Sequence, residues 1–218
     1  MFRKLIQMFK QGDLMDQALQ DSYKMFEESY DIFKKASRVF LKGEEVEEDI
    51  YAKDRRINRM EKEIRRKILE HLSISPRQDV VGALVLTTVI VHMERIGDFS
   101  KNIYELAEKR THSFSCKYYP EAEKLTSEIL ANFEKAIVVF REGREQEARQ
   151  LMEIFDRIKK ECEKNIDRIM EETDISVKDA IIYTLYFRYL KRISAHILDI
   201  SSSVCNPFEL IDFFKEPV

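Results

Sequence analysis

The thirteen residues from Phe33 to Glu45 (FKKASRVFLKGEE) return 100 positions later, from Phe133 to Glu145 (FEKAIVVFREGRE), with seven identities. A period near 100 is far longer than the roughly 20 to 50 residues of solenoid repeats. The chain therefore reads as one helical unit written twice. The correspondence continues with small changes of offset: Asp54–Ile64 lies over Asp156–Ile166 at 102, and Glu94–Ile103 lies over Lys191–Ile200 at 97. Such drift belongs in loops, because lengthening a surface connection by a few residues costs little closure entropy.

Five Gly and four Pro in 218 residues, with long Glu/Lys/Arg/Leu/Ile/Met stretches, favour helix over strand. The expected class is all-α: six long helices arranged as two tandem three-helix bundles, packed side by side. No uninterrupted apolar run approaches the length of a membrane span, and residues 1–10 lack the features of a signal peptide. The expectation is a soluble, cytoplasmic chain. Cys116, Cys162 and Cys205 are odd in number and form no CxxC pair, which suits reduced thiols better than a disulfide frame or zinc site. Net charge is −3 with the signs interleaved, so no nucleic-acid footprint is expected.

Asp13 reads as the cap of a first helix that ends near Gly43. A second is expected from about Glu44 to Leu72, its acidic start suiting the positive end of the helix dipole. Ser75-Pro76-Arg77-Gln78 reads as the start of a third, which runs to about Lys109. A Ser-, Thr- and Tyr-rich linker follows, and three more helices repeat the plan, divided at Gly143 and at Thr173–Ser176, where Ser176 and Asp179 resemble a cap. The organisation is an amphipathic segment over residues 1–11, a first repeat over 12–110, a linker over 111–119, a second repeat over 120–206 and a docking tail over 207–218.

Glu94, Asp98 and Asn102 are spaced i, i+4, i+8 along the third helix, and Asp54 and Asn58 stand i, i+4 on the second. If those helices are antiparallel neighbours, the oxygens converge where a hard or borderline cation would bind. The commoner reading of acids four apart in a chain that is 35% charged is a solvated face paired with Lys and Arg. Gly97, costly inside a helix, marks a place where a neighbour approaches closely.

The string Met93–Glu108 (MERIGDFSKNIYELAE), preceded by Asp54-Arg-Arg-Ile-Asn58 and Glu61, resembles the PhoU family of phosphate-uptake regulators. The resemblance spans Leu14 to Val204 and implies tandem three-helix repeats. It further implies a non-enzymatic regulator of phosphate uptake and homeostasis, with a phosphate transporter or a phosphate-sensing histidine kinase as partner. Some members hold iron or other metal clusters on E(D)xxxD motifs, which assigns Asp54, Asn58, Glu94, Asp98 and Asn102 as ligands here. The second copy departs from that pattern with Lys160, Lys191 and Ala195, so metal is expected in the first repeat only.

No Glu-x-x-His pair, P-loop, GxSxG or HExxH is present, and no catalytic set emerges. His196 reads as a surface or interhelical histidine, with a leftover ligand as the alternative. MFRKLIQMFK, residues 1–10, separates Phe2, Leu5, Ile6 and Phe9 from Arg3, Lys4 and Lys10. It suits either peripheral contact with the inner face of a membrane or coverage of apolar protein surface. A homodimer is expected. The alternatives are a metal-binding helical protein and a PhoU-fold interaction module serving another transporter.

Overall fold

The computed structural model describes residues 13–75, 79–110 and 116–213. The described chain forms α1 (Leu14–Lys42), α2 (Ile50–Ile74), α3 (Val80–Lys109), α4 (Tyr119–Glu142), α5 (Glu145–Glu171) and α6 (Val177–Cys205), then a 3-10 turn, Phe208–Leu210. Among the described residues there is no strand, as expected.

The repeat is visible in the helix ends. Asp13 caps α1 by accepting from the Asp16 amide at 2.9 Å. Gly43 and Gly143, 100 positions apart, both take the left-handed conformation, with φ of 65° and 63°. Each donates its N–H to the carbonyl four residues back, on Val39 and Val139, which closes α1 and α4. An L side chain at either glycine would be strained. Ser176 caps α6, accepting from the Asp179 amide at 3.0 Å and donating to its carboxylate at 2.7 Å.

Two helix starts differ from the sequence expectation. Helix α2 begins at Ile50 under an Asp49 cap, not at Glu44. The acids before it are held by side chains instead: Glu44 pairs with Arg38, and Glu48 with Lys35 and Lys53. Those pairs tie the segment back to α1 and α2. Helix α3 begins at Val80 after Asp79, a left-handed residue with φ of 60°, while Ser75 closes α2. The expected Pro76 start falls within residues 76–78, outside the described residues, as do residues 1–12, 111–115 and 214–218.

Within each half, neighbouring helices run antiparallel. In the first half Asp21 meets Lys67 and Asp31 meets Lys53 across α1 and α2, while Tyr51 packs edge-on to Tyr104 across α2 and α3. The buried Ser29 hydroxyl lies 2.8 Å from the Met25 carbonyl of its own helix and 2.9 Å from the Met93 carbonyl, joining α1 to α3. A Cβ on Gly97 would come within 3.1 Å of Ile57 Cδ1, so the glycine marks a close α2–α3 crossing.

The halves join along two antiparallel seams. On one, Tyr23, Phe26 and Tyr30 of α1 mesh with Phe140 and Phe133 of α4. On the other, α3 lies against α6, pairing His92 with His196 and Phe99 with Tyr189. Phe40 at the end of α1 stacks on Tyr186 of α6 at 3.8 Å, and the Arg110 guanidinium lies 4.9 Å from the Phe40 ring. Arg110 also donates to the Phe40 carbonyl and, at 3.1 Å, to the Tyr183 hydroxyl. A single apolar core receives residues from all six helices.

Helix α3 is long and apolar enough over one 18-residue window to cross a membrane, contrary to the sequence reading, but half of that window is buried inside the bundle. Its apolarity serves a helix flanked on two sides by protein. Among the described residues after α6, Ile211 is 3% exposed and Phe208 packs on the core. All three cysteines are free, and burial pushes the Cys162 thiol up to about 12.

Phe40→Ala should cost about 3–5 kcal/mol in urea unfolding, because it empties a buried ring site shared by both halves. Phe213→Ala, at a half-exposed ring, should stay within about 0.5 kcal/mol.

Candidate functional site

Antiparallel packing of α2 on α3 brings Asp54, Glu94 and Asp98 to one face. Asp54 is buried on α2, and Glu94 and Asp98 stand one turn apart, partly exposed, on α3. Asn58 follows Asp54 by one turn on α2 and is half-buried. Asn102 diverges from the group: it lines a groove with Leu106, Ile182, Leu185 and Tyr189, facing α6 instead of α2.

Between the two aspartates lies a side chain that the spacing argument did not count. Lys101 Nζ is 3.0 Å from Asp54 Oδ2 and 3.2 Å from Asp98 Oδ1. Burial works against its charge, but the bonds to Asp54 and Asp98 outweigh that and raise the ammonium pKa above its ordinary value. Arg95 flanks the same face, 3.7 Å from Glu94 and 3.6 Å from Asp98. Glu94 is pushed above the usual carboxylate range, first by burial and then by the Asp98 charge, with Glu61 and Asp54 adding to it.

The metal implied by the family resemblance has to be weighed against this geometry. A cation shared by Asp54 and Asp98 would have to displace the Lys101 ammonium, which already supplies the neutralising charge and two hydrogen bonds. As arranged, the face suits a lysine-neutralised patch and not a cation cage. The second repeat goes further: Lys160 pairs with Asp156 at 2.9 Å and Lys191 with Glu163 at 2.5 Å. Substitution of the acidic motif there left cations paired to neighbouring acids.

A second polar cluster sits on the α3–α6 seam, where sequence reading had treated His196 alone. His92 Nδ1 is 3.0 Å from His196 Nδ1 and 3.6 Å from Asp199 Oδ2, and His92 Nε2 is 3.1 Å from Asp212 Oδ1. Burial first, then the nearness of His92, Arg192 and Arg95, lowers the His196 pKa to about 3. Burial raises Asp199 to about 6, against the pull of His92 and with help from Asp212. The residues are 104 positions apart in sequence, so no local motif announces them. The available signal was the repeat offset: at 97, His92 aligns with Tyr189 and Phe99 with His196, the two ring pairs that meet across the seam.

The profile of the PhoU domain family matches residues 22–107, within the first repeat. Two solved structures share the fold along nearly the whole chain. PhoU from Pseudomonas aeruginosa aligns with a TM-score of 0.71 at 18% identity, covering 88% of this chain and 95% of that one. The phosphate transport system regulatory protein PhoU from Streptococcus pneumoniae aligns with a TM-score of 0.74 at 14% identity, covering 94% of this chain and 97% of that one. Nothing matches among curated proteins.

Two outcomes follow from the acidic face. Because the folded Glu94 pKa lies above its unfolded value, the ionised side chain destabilises the fold once pH exceeds that raised value. Glu94→Gln should therefore raise the melting temperature at neutral pH, and the gain should vanish at acid pH, where Glu94 is protonated folded or unfolded. Lys101→Met should cost roughly 1–3 kcal/mol by leaving Asp54 and Asp98 unneutralised. Millimolar Mn²⁺ should restore part of that loss in thermal melts while leaving the parent protein nearly unchanged.

Proposed function

We propose, for a chain whose residues 22–107 match the PhoU domain and whose described helices share the fold of solved PhoU structures, a role as a non-enzymatic regulator of phosphate uptake. It would act through protein contacts with a phosphate transporter or a phosphate-sensing histidine kinase at the membrane. The observation that carries this reading is the joint occurrence of the domain match in one half and the duplicated bundle across both. The named function of the Streptococcus pneumoniae relative, regulation of a phosphate transport system, supports it.

The surface is compatible with docking. Leu69, Ile74, Val80, Val81 and Leu84 are exposed apolar side chains where α2 gives way to α3. Met170, Val177, Ile181 and Leu185 are their counterparts where α5 gives way to α6. Because α3 and α6 run antiparallel, these patches lie at opposite ends of the bundle. Apolar anchors with a charged rim are what helix-face recognition uses. The same proposal includes a cytoplasmic homodimer and peripheral membrane contact through residues 1–10, and leaves a metal in the first repeat only as a competitor of Lys101.

The test is affinity capture from the native host under phosphate plenty and phosphate starvation. A phosphate transporter or sensor kinase should be enriched, by an amount that changes with phosphate supply. Leu69→Asp combined with Val81→Asp should reduce capture at least tenfold. Equal capture of unrelated membrane proteins in both conditions would overturn the reading.

A further inference from the structure

The α3–α6 seam holds one polar cluster that the regulatory reading does not use. It brings together His92 from α3, His196 and Asp199 from α6, and Asp212 from the segment after the 3-10 turn. One nitrogen from each ring and one Asp199 oxygen all lie within 4.8 Å of one another. The two distances from His92 Nδ1 are 3.0 Å, to His196, and 3.6 Å, to Asp199. Ligand atoms around a tetrahedral zinc, about 2.0–2.1 Å from the ion, stand roughly 3.3 Å from each other. The measured pair of edges brackets that value.

Three further features fit a cation. Asp212 Oδ1 lies 3.1 Å from the far nitrogen of His92, a carboxylate placed to hold that ring. A carboxylate on the outer nitrogen is how metal-bound imidazoles are commonly held. Asp212 reaches that position with φ of 74°, one of two positive-φ residues other than glycine among those described. His196 Nε2 is buried with no hydrogen-bond partner, which leaves Nδ1, 3.0 Å from His92 Nδ1, as the ring nitrogen turned to the other groups of the cluster. Finally, the cluster is reachable, since the Asp212 side chain is 43% exposed while His92 and Asp199 are mostly covered.

The repeat makes the cluster conspicuous. At the offset of 97 that aligns α3 with α6, His92, His196 and Asp199 correspond to Tyr189, Phe99 and Asn102. Those three residues lie on the other side of the same seam, where Phe99 packs on Tyr189 and Asn102 shares a groove with Tyr189. One side of the pseudo-twofold seam therefore carries rings and an amide, and the other carries two imidazoles and a carboxylate. Packing is served equally by both sets, but only one set can bind a metal.

The geometry points to a site for a borderline divalent cation of the zinc type, bound by His92 Nδ1, His196 Nδ1 and Asp199, with Asp212 orienting His92 and water completing the shell. Two neutral nitrogens and one carboxylate suit zinc or cobalt(II) better than magnesium or calcium. Asp199 and Asp212 together balance a double positive charge. Bound there, the ion would pin α3 of the first half to α6 of the second. This site is separate from the acidic face of α2 and α3, and it does not depend on the phosphate-regulator reading.

The test uses the full chain, stripped with chelator and titrated with Zn²⁺ by calorimetry, with Co²⁺ visible absorption as the ligand-field readout. One zinc per chain is expected, together with a cobalt spectrum of tetrahedral intensity. His92→Ala and Asp199→Asn should each weaken binding at least 100-fold. Asp212→Asn should weaken it about 10- to 100-fold. Asp98→Asn, on the acidic face, should leave it unchanged. Helical circular dichroism checks each variant, and the partly exposed Asp199→Asn decides the matter if His92→Ala unfolds. No binding at a hundredfold excess of Zn²⁺, or binding that survives both His92→Ala and Asp199→Asn undiminished, would overturn the assignment.

Discussion

The contact on which the rest depends is the burial of each three-helix unit's remaining apolar face by the other unit. Three antiparallel helices cover one another only in part, and the faces left over on α1 and α3 are closed by α4 and α6. Phe26, Phe33 and Phe40 of the first half, and Phe133, Phe140, Tyr183 and Tyr186 of the second, are all fully buried in a core to which both halves contribute. The Phe40–Tyr186 stack, with Arg110 held at its edge, ties the end of one repeat to the last helix of the other. Duplication here supplies a partner surface within one chain, so the core is continuous across the halves.

The same duplication freed the polar faces to diverge. Apolar positions must fit a shared core and tolerate little change in volume. Acids on the outer faces of the bundle are less tightly constrained in volume. The first repeat keeps Asp54, Glu94 and Asp98 but places Lys101 among them. The second has exchanged Glu94 for Lys191 and Asn58 for Lys160, each now held by a local acid. The seam shows the converse: equivalent positions facing each other across it became Phe99 and Tyr189 on one side and His92 and His196 on the other.

Much of the architecture was legible in the sequence. The Gly43 and Gly143 helix ends and the Asp13 and Ser176 caps follow from local chemistry acting at known positions. The start of α2 was not, because the acids of residues 44–48 look like a helix N-terminus until Lys35, Lys53 and Arg38 are placed in space to hold them. The acidic face was half legible. Spacing put Asp54 opposite Glu94 and Asp98, yet the residue that defines their electrostatics, Lys101, falls three positions after Asp98 and looked like ordinary surface charge. Asn102, in register with Glu94 and Asp98 by sequence, turns toward α6 because the helix face drifts over two turns.

By itself the sequence determined that this chain is helical and duplicated, where its helices end at Gly43 and Gly143, and that its first copy resembles PhoU, because these are properties of short-range periodicity and of repeats compared position by position. Only the tertiary structure decided which charges meet and which rings face each other. Lys101 reaches Asp54 across 47 residues and His92 reaches His196 across 104, and distances of that kind are set by how helices cross in a packed core, which no local pattern records.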